Sequence, residues 1–87
     1  MTTLREFKAK QITMLMQKRI HLKSAYPDRA ERIDEVIDIL INKLQNLRAY
    51  TLTDYLSTLY RAMREFEELE DLVPDVKEIE ELLHSNE

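Results

Sequence analysis

The chain has 87 residues, no glycine, no cysteine and two prolines, and its seventeen acids outnumber its thirteen Lys and Arg for a formal net charge of −4. Average usage would supply roughly six glycines. Without glycine's freedom at φ > 0, phosphate-cradling loops, dinucleotide-binding turns and type I′ hairpins are out of reach, and without cysteine so are disulfides, thiolate zinc sites and thiol nucleophiles. What remains is a single all-α domain over residues 1–87, a small bundle of three long helices plus a short C-terminal helix.

The first helix is expected over residues 3–25, opened by Thr3 with Glu6 three positions on as a capping box. Its apolar residues fall on two stripes rather than one. Leu4, Phe7, Met14, Leu15 and Leu22 lie together, while Ala9, Ile12, Met16 and Ile20 lie about a third of a turn or more away. A helix with two stripes has two things to touch: either helix one sits between the hairpin and helix four and buries both, or the second stripe is an oligomer or partner interface, to which methionine's adaptability is suited. Arg5, Lys8, Arg19 and Lys23 project within about 60° of one another on the same helix, a spacing able to follow a phosphate backbone.

Pro27 stops this helix, because it forces Tyr26 out of the α region and has no N–H to donate. A second helix is expected over residues 28–48, with Pro27 in its first turn or Asp28 as cap and Glu31 as reciprocal partner. Ala30, Ile33, Val36, Ile37, Leu40, Ile41, Leu44 and Leu47 make one broad stripe, the core of the bundle.

The third helix is expected over residues 52–72, with Thr51 or Thr53 as cap and Asp54 at the positive end of the dipole. It presents Leu52, Tyr55, Leu56, Leu59, Met63 and Phe66. The connection from Arg48 to Thr51 is short enough to make helices two and three an antiparallel hairpin. Tyr60 sits at the edge of the stripe, where a monomer gains nothing from an aromatic ring. Pro74 and Asp75 then open a fourth helix over residues 74–84.

Charge is distributed unevenly. Residues 1–26 carry Arg5, Lys8, Lys10, Lys18, Arg19 and Lys23 against Glu6, and residues 65–87 carry ten acids against Lys77, so the two ends are expected to lie against each other. Catalytic chemistry finds no footing: Ser24, Ser57 and Ser85 lack a histidine at a defined site. Glu81 and His84 form one Glu-x-x-His pair where a di-iron bundle needs two, so neither a metal nor another cofactor is expected. The N-terminal segment lacks the apolar run of an export signal and no stretch is apolar enough to span a bilayer, which points to a cytoplasmic protein without membrane attachment.

The function expected from these features is that of a non-enzymatic interaction module: a regulator, inhibitor or adaptor of a protein partner, or a homodimer. Ile12, Met16 and Ile20 form the contact, Arg19 and Lys23 its charged rim, and Tyr60 a further interface residue. The alternative is a nucleic-acid-binding accessory factor using Arg5, Lys8, Arg19 and Lys23.

Overall fold

A computed structural model describes residues 2–85 and contains helical elements only. α1 spans Leu4–Ala25, α2 Ala30–Gln45, α3 Leu52–Glu65 and α4 Val76–Leu83. Short 3-10 segments at Pro27–Arg29, Ala49–Thr51 and Glu67–Leu72 join them.

Local chemistry accounts for most of the boundaries. Thr3 Oγ1 accepts from the Glu6 N–H at 3.2 Å and starts α1, and Asp75 accepts from the Glu78 N–H and starts α4. The turn between α1 and α2 departs from expectation. Pro27–Arg29 winds as a separate 3-10 turn, α2 begins at Ala30 without a side-chain cap, and Asp28 plays no capping role. Nor does Thr51 cap α3: its hydroxyl accepts from the Arg48 N–H and donates to the Arg48 carbonyl, closing the hairpin loop on itself. α2 ends three residues earlier than expected, at Gln45, yet Leu47 beyond it stays buried.

Ion pairs show how the helices run. Lys43 meets Asp54 near the hairpin tip while Arg32 meets Glu65 at its base, so numbering that rises on α2 falls on α3. The expected antiparallel hairpin is present. α1 lies antiparallel along the other flank of α2, where Arg19 bridges Asp34 and Asp38 and Lys23 reaches Asp34.

The larger departure is the end of α3. An α-helix was expected to continue to Leu72, but it stops at Glu65, Phe66 turns extended at φ −133° and ψ 92°, and residues 67–72 wind as 3-10. Phe66, Leu69 and Leu72 are spaced by three, so 3-10 geometry stacks them on one face, whereas α geometry would smear them over about 120°. All three are buried. The break sends the chain back along α1, with Glu68 at Tyr26, Asp71 at Lys18 and Leu72 at Gln11. α4 then packs beside the Ala49–Thr51 turn, anchored by the buried Leu82.

The core is one cluster drawn from every long element, including Leu4, Phe7, Leu15 and Leu22 of α1, Ile33, Ile37, Leu40 and Leu44 of α2, and Leu52, Tyr55 and Leu59 of α3. Phe7 and Tyr55 meet edge to face at its centre. Every turn between residues 2 and 85 is made at negative φ. A chain without glycine has therefore found connections that any L-residue tolerates.

Candidate interaction surfaces

α1 shows what the bundle uses and what it leaves. The stripe containing Leu4, Phe7, Leu15 and Leu22 is buried, together with one polar side chain, Gln11. Its amide nitrogen donates to the Leu72 carbonyl at 2.8 Å, and its amide oxygen accepts from the Tyr55 hydroxyl. That pair of bonds ties α1, α3 and the returning segment together in the low-dielectric interior. Burial pushes the Tyr55 phenol well above its ordinary value.

The second stripe of α1 stays open. Ile12 is half-buried against the core, but Met16 is 56% exposed and Ile20 68% exposed, with the exposed Ala9 and Thr13 on the same side. Neither α4 nor the returning segment covers this ridge, because both lie along the other flank of α1 or at its end. Tyr60, at 49% exposure, belongs to α3 and stands apart from the α1 ridge.

Arg19 and Lys23 do not form a free rim. Arg19 places Nη1 2.9 Å from Asp34 and Nη2 2.7 Å from Asp38, and Lys23 Nζ lies 3.0 Å from Asp34. The Lys23 ammonium and the Arg19 guanidinium hold the Asp34 carboxyl below its usual range, while Asp38 raises Arg19. Both cations thus clamp α1 to α2. Of the four residues proposed to follow a nucleic-acid backbone, only Arg5, exposed, and Lys8, half-buried, lie outside this clamp.

The acidic end of the chain meets the basic end only in part. Glu65 receives Arg32 and, at 3.2 Å, Arg29, and Glu68 accepts from the Tyr26 hydroxyl at 2.7 Å. Arg32 is the main cause of a lowered Glu65 carboxyl, and the Tyr26 hydroxyl of a lowered Glu68. Arg29 also lies 4.6 Å over the Phe66 ring, fixing the corner where α3 breaks. Lys18 reaches Asp71 at 2.7 Å, so the returning segment is held along α1 as well as at its corner.

A further surface escaped the sequence reading. α2 and α3 leave a groove of about 290 Å³ between them, with Val36, Ile39 and Ala62 along it and Arg32, Lys43 and Arg61 at its edges. The signal was Ile39, an apolar residue lying off the main α2 stripe and 48% exposed.

Among the described residues, no three His, Asp or Glu side chains gather as a metal site would require, and no helix is long and apolar enough to cross a membrane. His21 and His84 are both exposed. In comparisons with protein families, curated proteins and solved structures, nothing matches the chain.

Proposed function

We propose that this protein is a non-enzymatic helical interaction module, a cytoplasmic regulator, inhibitor or adaptor that docks on a protein partner through the outer ridge of α1. The observation that carries the reading is the exposure of Met16 and Ile20, one turn apart, after the opposite stripe of α1 has already closed the core. Such a ridge anchors a contact in the helix-against-groove mode, and the half-buried Ile12 continues it toward the N-terminus. The module acts by occlusion, covering an apolar patch on the partner that another ligand would otherwise use.

The Arg19 and Lys23 clamp supports this by stiffening the helix that carries the ridge, so little ordering entropy is lost on docking. Tyr60 on α3 then serves a separate contact. The nucleic-acid alternative draws less support, because Arg19 and Lys23 already spend their charge on Asp34 and Asp38. Phosphate contacts would have to displace those carboxylates.

The test is a photo-crosslinking amino acid at Gln17, beside the ridge, in the native host, compared with the same probe in a Met16→Asp, Ile20→Asp background. Crosslinks to discrete proteins should vanish in the double variant while its helicity and melting temperature hold. Crosslinks that persist unchanged, or a double variant that unfolds because the ridge is core, would overturn the reading. Crosslinks to nucleic acid that weaken steeply with salt would replace it with the alternative.

A further inference from the structure

We infer that the chain forms a reciprocal dimer in which the α4 ridge of each copy seats in the α2–α3 groove of the other. The groove and the ridge are separate surfaces of one chain, and neither belongs to the α1 face described above.

The groove has the chemistry of a receptor for an acidic amphipathic helix. Val36 and Ala62 are buried at its base and Ile39 forms its apolar lip. Three cations stand around it against one lining acid, Glu65. Arg32 and Lys43 are shared with Glu65 and Asp54, but Arg61 donates only to Thr58 Oγ1 at 3.3 Å and makes no ion pair among the described residues. An unpaired guanidinium beside apolar surface favours a carboxylate arriving on an apolar partner.

α4 supplies that partner. Leu82 anchors it to its own bundle and leaves Val76, 72% exposed, and Leu83, 47% exposed, facing outward two turns apart with the half-buried Ile79 between them. Glu80 lies exposed alongside, and residues 75–83 carry four acids against the single base Lys77. Lengths agree as well. The eight residues of α4 extend about 12 Å, and the groove between Arg32 and Lys43 on α2 runs about 16 Å at the helical rise per residue. One short helix fills it. With Leu82 as anchor on the inner side, α4 presents its outer ridge without leaving its own chain, so the contact is not a domain swap.

Both halves lie on one chain, and a two-fold arrangement uses both at once and closes the assembly, where a head-to-tail contact would leave an unfilled groove at one end. Each contact is small, and the two-fold dimer gains from making it twice.

The experiment is sedimentation of the full chain across micromolar to millimolar concentration, with two variants. Ile39→Asp spoils the groove and keeps α4 intact, while Val76→Asp, Leu83→Asp spoils the ridge and keeps the groove. Each should weaken dimerisation at least about tenfold with unchanged helicity. Mixing the two variants should give association stronger than either variant alone and weaker than wild type, since one of the two contacts then pairs an intact groove with an intact ridge. A wild-type chain that stays monomeric throughout overturns the inference. So does a dimer that survives both variants and is lost in Met16→Asp, Ile20→Asp, or a mixture that fails to complement.

Discussion

Replacing Gln11 by Leu keeps the volume of the side chain and removes both of its hydrogen bonds. The Leu72 carbonyl and the Tyr55 hydroxyl are then left buried with no partner, since both bonds lie in the interior. Each orphaned group costs about 1–3 kcal/mol, and the leucine recovers part of that through apolar burial, so a net loss of about 2–4 kcal/mol is expected. A chain of this length has roughly 4–13 kcal/mol of stability, and the loss corresponds to a fall in melting temperature of roughly 10–25 °C. Tyr55→Phe alone orphans only the Gln11 amide oxygen and should cost about 1–2 kcal/mol. The double variant, Gln11→Leu with Tyr55→Phe, leaves just the Leu72 carbonyl unpaired. It should therefore be more stable than Gln11→Leu alone, a sign reversal that no account based on lost contacts produces. Urea unfolding of the four proteins closes the cycle. A Gln11→Leu variant within about 0.5 kcal/mol of wild type, or a double variant weaker than either single one, would refute the argument.

Acid should destabilise the fold in a defined window. Glu65, Asp34 and Glu68 are held below their ordinary values by Arg32, Lys23 and the Tyr26 hydroxyl, so the unfolded chain binds protons more readily than the native one. Their stabilisation is present above about pH 5 and is lost as pH falls through about 4 and below. Glu65→Gln should lower stability at neutral pH and flatten the acid limb of a urea-midpoint titration; an unchanged slope would show that the Arg29 and Arg32 pairs contribute nothing. Leu82→Ala should cost about 2–4 kcal/mol at the α4 anchor, and most of that loss should stay local. Hydrogen exchange should speed up across residues 76–83 and leave α1 to α3 protected. Uniform loss of protection would instead make α4 an integral part of the core.

Much of this architecture could be read from residue spacing alone. The α2 stripe, the Thr3 and Asp75 caps and the hairpin all follow from local chemistry that tertiary contacts reinforce. The two stripes of α1 were equally visible, but spacing alone left open whether helix four would cover the second, and only the packed structure leaves Met16 and Ile20 exposed. The end of α3 was not legible, because Glu67, Glu68 and Glu70 are good α-helix formers and no proline stands between Phe66 and Pro74. What decided the break was the three-residue spacing of Phe66, Leu69 and Leu72, which pays off only when the segment finds α1 to lie on. Gln11 was missed for a related reason: on a helical wheel it is a polar residue within an apolar stripe, and its two partners are 44 and 61 positions away. Arg19 and Lys23 read as a basic patch because Asp34 and Asp38 sit on the next helix, where the pairing depends on how two helices face each other. The α2–α3 groove likewise exists only between helices, so Ile39 carried its single trace in the sequence.

Backbone conformation at negative φ throughout the described residues has a practical consequence for every experiment above. In most proteins a few turn positions demand glycine, and substituting them mixes backbone strain with loss of the side chain. Here no position between 2 and 85 imposes that penalty, and alanine fits the local backbone of all of them. An alanine scan of residues 2–85, Pro27 and Pro74 aside, would accordingly carry no cost from forcing a side chain into positive φ. Surface positions that lose binding at constant stability would then mark contact sites without correction for distorted turns.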